Sequence, residues 1–593
     1  MGPSMCEPVF ISMQTLELQS KNGYLDTEAV LSALEACRVS GEALTLRLPA
    51  GELRVRRDRL PEYFVALSNN DSGMKRVAFP LRGLKDIVIK GRETRLILEG
   101  EILPFDVEAC ANVSFRGFSV DWERPFHFEG TVRACDESAR TFDIEPSRAC
   151  LWEIRDGRLW WVEKQHGERS RAVWHNGFGT LVADARWERT LGWNIWIDPS
   201  ERAVARDSHE CLFGAFDPDR QRFYRAERLE PDRIRIHQAG LKRLPQPGWV
   251  FVDKGSGGNR RFPAFHLKDC KDVVLEDVTI HHADGMGLIA EFSENIRLSR
   301  VNVLPSPGRA ISTTADATHF VYCRGLIRLE GCRFECMPDD GINMHGNYYA
   351  VAEVSEQGHC WIAPTHPQHE HVDFARVGDR IARVDPRYFR LFSEHEVRGV
   401  ERRNGVAIRL ECEPPLPQGA VGQVLENLGW QADLEMVDCL VRGNRARAAL
   451  FSTRGRGRIE RNRFEDQSMM AVLVEMDADY WNETGPVGSL EIRDNDITHP
   501  AREFSRMPAI QVTPESGGAD KPPIHDTIRI EGNRISVDNG PVLAAGSIRR
   551  LVWRDNQITG VELEEEGAVL LRGCASIEGD LQDLEQHAGK NDL

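Results

Sequence analysis

The chain has 593 residues and a formal net charge of −17, with 41% hydrophobic and 28% charged residues. That composition excludes a disordered chain, and no run reaches the roughly 18 apolar residues of a membrane-spanning helix. The acidic balance argues against nucleic acid and anionic membrane as partners, and more weakly against a polyuronate substrate.

Met1 to Gln19 carries Glu7 and Glu17 where an export signal needs an apolar run. Asp26 to Cys37 has helical spacing behind an Asp or Thr N-cap. Ala43 to Val55 alternates apolar and polar residues and predicts a strand pair around a Pro-Ala-Gly turn. Val113 to Val120 is the first copy of a short alternating motif that recurs at Val274–Ile280, Ile296–Val303, Ile327–Phe334 and Leu434–Val441. Four later copies, around Asn462, Asn495, Asn533 and Asn556, share an Asn at one position. From Val278 the anchor passes through Val301, Cys332, Cys439 and the four Asn residues, at spacings of 23, 31, 107, 23, 33, 38 and 23. The shortest spacing occurs three times, and the longer ones read as that unit with insertions. Short strands repeating at such a period predict a right-handed parallel β-helix of the pectin-lyase type. Coils stack about 4.8 Å apart, so the Asn column predicts an inward amide ladder. The helix before the first coil would cover the open end, where strand edges are otherwise exposed.

The fold class is therefore all-β, with a cap helix and two insertions. Residues 1–123 hold the cap and first coils, and 124–262 form an inserted antiparallel domain containing Leu159-Trp160-Trp161-Val162 and Trp193-Asn194-Ile195-Trp196. Residues 263–347 are central coils, 348–430 a second barrel-like insertion, 431–575 the C-terminal coils, and 576–593 an acidic tail read as a cap helix or disordered. The 14 cysteines lack a disulfide or zinc spacing and read as packed free thiols.

Chemistry concentrates at Pro338-Asp339-Asp340-Gly341-Ile342-Asn343-Met344-His345-Gly346. Adjacent carboxylates in a turn are costly unless they are solvated, paired or functional. Asp316 precedes Asp339 by one repeat unit and stacks beside it if the eight extra residues between Val301 and Cys332 sit ahead of Asp316. Three converging carboxylates would repel one another, raising one pKa and leaving others ionised, which is what glycoside hydrolysis requires. Asn343 and His345 share a strand face with the site. His282, Asp284 and Glu291 lie one or two coils earlier, and Arg454, Glu475, Asp477 and Trp481 one or two coils later; all are candidates for sugar binding. Trp430 or Trp481 would stack on the apolar face of a sugar. The His-rich run 365–371 has no metal-ligand spacing and reads as a solvated loop.

At the Asp-Asp-Gly-Ile-Asn-Met-His-Gly string the chain resembles glycoside hydrolase family 110, the exo-acting α-1,3-galactosidases. The resemblance extends over the cap helix, the coils, both insertions and Asp316. It implies inverting hydrolysis, without a cofactor or metal, of terminal α-1,3-linked galactose, as in blood group B or linear Gal-α1,3-Gal glycans. It also implies that Asp339 is the general acid, that Asp316 and Asp340 position water, and that the protein is exported. Met344 stands where a smaller aliphatic residue is expected. Inversion asks for acid and base about 6.5–9.5 Å apart, with adjacent Asp339 and Asp340 pointing apart. An exo enzyme needs a closed pocket, walled by the insertions or by a second protomer in a homodimer. The rival readings are a β-helix polysaccharide lyase or epimerase, and a glycan-binding β-helix without turnover.

Overall fold

The structure is a computed structural model that describes residues 13–581, apart from 163–170, 175–179, 184–187, 207–210, 213–223, 231, 239–242, 256–259, 357, 404–405, 479, 503, 505, 514–521, 539 and 562–566. The last residues of the acidic tail, 582–593, lie outside the described set. Its first part is neither cap helix nor loop alone, because Ile577–Gly579 is a strand that pairs in parallel with Ile548–Arg554.

The helix spans Thr27–Ser40. Asp26 accepts the Ala29 N–H at 3.3 Å as N-cap, and Gly41 closes the other end at φ 71°, a left-handed value that glycine adopts without strain. Val30, Leu34 and Cys37 face the core from i, i+4 and i+7 positions. Ala43–Arg47 and Gly51–Arg56 are both strands, as their alternation predicts, but each pairs in parallel with the long strand Lys85–Glu99. The Pro-Ala-Gly turn thus bends one coil between two faces and does not close a hairpin.

The coils form three parallel faces. One runs through Ala111–Trp122, Lys271–Ile280, Glu294–Ser299, Arg324–Glu330 and Asp433–Val437. A second runs through Asn302–Val303, Arg333–Glu335, Leu440–Arg442 and Arg463–Glu465. The third carries Leu103–Glu108, Phe265–Lys268, Leu288–Glu291, Thr318–Val321, Ile342–Asn347 and Ala449–Phe451. Because like positions stack, core residues form ladders. The Phe105 ring lies 4.9 Å from Phe79 and 4.5 Å from Phe265. The Asn ladder is present: Asn462, Asn495 and Asn533 each donate through backbone N–H and side-chain amide to the Oδ1 of the next Asn, at 2.9–3.0 Å. These bonds satisfy buried amides that no strand ladder reaches. The described cysteines are free and mostly buried.

Two excursions leave the coils. The first returns as an antiparallel sheet from Phe128–Asp136 to Val250–Gly255. The second is a closed six-stranded barrel from Tyr349–Val354 to Val424–Asn427. Its first strand starts almost where Ile342–Asn347 ends, so the barrel grows directly out of the site strand.

Candidate active site

Asp316, Asp339 and Asp340 meet. One carboxylate oxygen from each lies within 4.8 Å of the others. The pairing Thr318↔Ile342 is offset by one position more than the sequence repeat, which carries Asp316 to the level of Asp340 and not to that of Asp339 as the repeat suggests. Ala317 N–H donates to the Asp340 carbonyl at 2.9 Å and locks that level. These nearest oxygens lie closer than the roughly 6.5–9.5 Å expected between the carboxyl groups of an inverting pair, and the adjacent carboxyls converge instead of pointing apart.

Each carboxyl has its own partner. Asp339 Oδ2 is 2.5 Å from the Arg260 guanidinium. Asp340 accepts the Arg447 N–H at 2.8 Å on Oδ1 and the Arg447 guanidinium at 2.8 Å on Oδ2. Asp316 Oδ2 is 2.6 Å from His319 Nδ1. Burial opposes ionisation of Asp339, but Arg260, Arg445, Lys254 and Arg447 outweigh it and hold the carboxyl down at about 2. Burial, then the charge of Asp339, pushes Asp316 up to about 7. Burial raises Asp340 well above the carboxylate range despite Arg447. These surroundings favour charge on Asp339 and protonation of its neighbours, the reverse of the acid assignment that the resemblance carries. The three carboxylates also have the span of a small cation site, but Arg260 and Arg447 already supply positive charge there.

The strand Ile342–Asn347 brings Asn343 and His345 beside this cluster. Asn343 donates to Glu483 Oε1 at 3.4 Å, and His345 Nε2 lies 3.3 Å from the same oxygen and 2.9 Å from His319 Nε2. Glu483–Thr484 folds back antiparallel on Gly346 and Asn347. Glu475 follows the strand Val472–Val474 on the same face; burial raises its pKa, and Arg447 opposes that. Trp481 is 37% exposed and packs its ring 4.8 Å from His366. Asp477 caps the turn that presents Trp481, accepting backbone N–H bonds from Tyr480 and Asn482.

Other sugar-binding candidates serve the scaffold. His282 is fully buried, accepts the Phe126 N–H and faces the Ser312 carbonyl at 2.5 Å. Asp284 pairs with Arg189 at 2.5 Å and pins the first insertion to the coils. Arg454 makes a two-pronged bond to Glu426 at 2.7 Å and ties the barrel to the next coil. Trp430 is buried and donates to Asp379, so it offers no sugar platform. Glu291 is held by His266 at 3.3 Å and by the Ser68 N–H at 3.0 Å. It belongs to a chain, Arg82–Asp106–His266–Glu291, buried from Asp106 onward, that fixes the segment at 68–71.

The His-rich run is a loop exposed at Thr365, Pro367 and Glu370 that turns His369 inward. His369 is fully buried with both ring nitrogens unpartnered, and burial, then His345, His366 and His319, lower its pKa. The Gln368 carbonyl accepts the Asn69 N–H at 3.0 Å, and the Asn69 carbonyl accepts from Arg260 at 3.3 Å. The loop thus connects, through Asn69 and Arg260, to Asp339. Arg260, His319, His369, Arg447 and Glu483 are not apparent from motif reading. One signal was available: the offset that separates Cys332 from Cys439, added to Asp340, lands on Arg447.

A family model described as GLAA-B beta-barrel domain I matches residues 128–251, the first insertion. Alpha-1,3-galactosidase A of Shewanella woodyi is 30% identical over 561 residues, covering 94% of this chain and 86% of that protein. Alpha-1,3-galactosidase B of Bacteroides thetaiotaomicron is 28% identical, covering 92% of this chain and 86% of that protein. Alpha-1,3-galactosidase B of Bacteroides fragilis strain ATCC 25285 is 27% identical, covering 90% of this chain and 87% of that protein.

Proposed function

The chain belongs to the α-1,3-galactosidase family, glycoside hydrolase family 110, and from that premise we propose that it is an exo-acting α-1,3-galactosidase that inverts the anomeric centre. The observation that carries the chemistry is the convergence of three carboxyls, one oxygen of each within 4.8 Å of the others, in surroundings that favour ionisation of Asp339 and protonation of its neighbours. A hydrolase of this kind needs a proton for the leaving oxygen and a base for water, and such a cluster supplies both. The proposed roles are Asp339 as donor and Asp316 with Asp340 as the water-side pair. Asp339 is the most exposed of the three, at 9% against 2% and 1%. It becomes a donor only when a neighbouring carboxyl passes it a proton and Arg260 yields.

The clamping of the carboxyls supports inversion, whereas the close approach of their nearest oxygens by itself fits a retaining pair. A retaining nucleophile must be ionised and unencumbered. Asp339 is clamped by Arg260, Asp340 by Arg447, and Asp316 bonds to His319. Recognition of galactose is proposed to fall to buried polar atoms around Ile342–Asn347 that have no protein partner: Asn343 Oδ1, both amide atoms of Asn347, Thr484 Oγ1 and the His369 nitrogens. Hydroxyls would satisfy them, and Trp481 would meet the outer sugar. Blood group B and linear Gal-α1,3-Gal glycans are the proposed substrates.

The test is an NMR time course on a Gal-α1,3-Gal disaccharide and on blood group B trisaccharide. First appearance of β-galactose is expected. First appearance of α-galactose would overturn inversion, and no galactose from folded protein would overturn the linkage.

A further inference from the structure

The carboxyl cluster is joined to a line of imidazoles that bond cleavage itself does not require. His345 Nδ1 lies 2.7 Å from the Gly346 carbonyl, which can only accept, so Nδ1 carries a hydrogen. His345 Nε2 faces His319 Nε2 at 2.9 Å and Glu483 Oε1 at 3.3 Å. His319 Nδ1 faces Asp316 Oδ2 at 2.6 Å. Two nitrogens at 2.9 Å must share one hydrogen, and that leaves two arrangements. In the first, neutral His345 accepts from His319 Nε2–H, His319 Nδ1 is then an acceptor, and Asp316 must donate as a carboxylic acid. In the second, His345 is an imidazolium whose Nε2–H points at His319 and Glu483, His319 carries its hydrogen on Nδ1, and Asp316 is a carboxylate. The two contain the same number of protons and differ by one concerted shift along the line.

We infer that His319 and His345 form a proton-holding chain that takes the proton from Asp316 before water attacks and keeps it beside Glu483, so that Asp316 is a ready base. This rests on the proposed reading, in which Asp316 is on the water side. Protons balance through a turnover. The proton leaves Asp316 for His319 Nδ1 while the His319 Nε2 proton moves to His345. Asp316 then accepts a proton from the attacking water as the donor carboxyl gives one to the leaving oxygen. Asp316 finally returns that proton to the donor carboxyl, the held proton runs back from His345 through His319 to Asp316, and the chain is as it began. His319 and His345 are positioning residues, acting through Asp316.

The surroundings suit the shift. Asp339, Asp340, Arg260 and Arg447 face Asp316 from the neighbouring loops, Glu483, Arg260 and Asp339 act on His319, and His369 lies near both imidazoles. Burial, then His345, keeps His319 neutral, so it conducts a proton without storing one. The Glu483 carboxylate bonds to the far end of the line, which gives the transferred proton a place to rest.

The experiment uses His319→Asn, which keeps a donor at the Nδ1 position, and His345→Gln, which keeps an amide at the Nε2 position. Neither can pass the proton. Without the chain, Asp316 must lose its proton to solvent, so the acidic limb of the kcat profile moves to higher pH. Expected is a fall of about tenfold in kcat near pH 6 that recovers to within about threefold near pH 8, with KM little changed. Profiles matching the unaltered enzyme in both variants would overturn the inference. Side-chain 15N spectra of the unaltered chain, with His319 and His345 assigned from the variants, do not depend on turnover. Because the two arrangements hold the same protons, His319 is expected to exchange between Nε2–H and Nδ1–H in step with His345 exchanging between imidazole and imidazolium. A His319 with one fixed tautomer overturns the chain even if the galactosidase reading holds, whereas inactivity of the unaltered enzyme overturns only that reading.

Discussion

At the scale of single residues, the site sets a resemblance against its own electrostatics. The family position makes Asp339 the donor, yet Arg260 beside it holds the carboxyl at about 2. Substrates with different leaving groups separate the two. An aryl galactoside leaves as a stable phenolate and needs little protonation, whereas a sugar alcohol needs a full donor. If Asp339 donates, Asp339→Asn loses about a thousandfold on Gal-α1,3-Gal but within about tenfold on the aryl substrate. Asp340→Asn then loses both about equally. The opposite pattern moves the donor to Asp340. Arg260→Gln gives an independent reading. A donor works only while protonated, so its activity falls as pH rises through its pKa. Removing the guanidinium raises the Asp339 pKa, and the basic limb of kcat/KM is expected to move to higher pH. A basic limb that stays in place sinks Asp339 as donor. The three aspartates were legible in the sequence because the repeat aligns Asp316 with the Asp-Asp pair to within one position. Their cationic partners were not. Arg447 stacks on Asp340 across the whole barrel insertion, and Arg260 reaches Asp339 from a loop outside the coil period.

At the scale of elements, strands and ladders follow from period-two alternation, and every Asn of the predicted column takes its place. Each rung satisfies a backbone N–H and a side-chain N–H of the preceding Asn with one carbonyl oxygen. Asn495→Ala removes that acceptor for Asn462 and the two bonds that the Asn495 amide donates to Ile459 and Asn533. Buried groups left unpaired cost about 1–3 kcal/mol each, so a loss of about 3 kcal/mol is expected in urea unfolding. Asn495→Cys is expected to lose less. At the head of the same column Cys439 Sγ accepts the Cys332 N–H at 3.4 Å, so a thiol retains part of the acceptor role. Equal losses for the two variants would show that the rung acts through packing. The covering loops were not legible. The run at 365–371 is polar and proline-containing, so it reads as solvent-facing. What buries His369 is a tertiary contact with coils far away in the chain, and local pattern carries no trace of it.

At the scale of the whole molecule, a chain of net charge −17 gathers guanidinium groups where its carboxylates converge, and it needs a rigid frame to do so. Part of that frame is the chain Arg82–Asp106–His266–Glu291, which crosses neighbouring strands of the third face and ends on the Ser68 N–H. The segment it holds carries Asn69, the bridge between the barrel loop and Arg260. Burial opposes charge on His266, but its bonds to Asp106 and Glu291 prevail and lift it to about 9, while Asp106 is held below the usual carboxylate range. The signs fix the window. A histidine raised on folding stabilises the fold fully below its unfolded pKa of about 6.5, and that contribution is lost as pH rises through about 9. The lowered Asp106 contributes above about 3.8 and loses its share only under stronger acid. Unfolding free energy is therefore expected to decline between about pH 6.5 and 9 by up to about 3 kcal/mol, reduced by whatever other groups titrate there. His266→Gln keeps a polar group but cannot hold the charge. It should be less stable than the unaltered chain near pH 6 and flatter across the window. If the two curves stay parallel, His266 is not charged in the folded state, and the frame around Asn69 and Arg260 rests on packing alone.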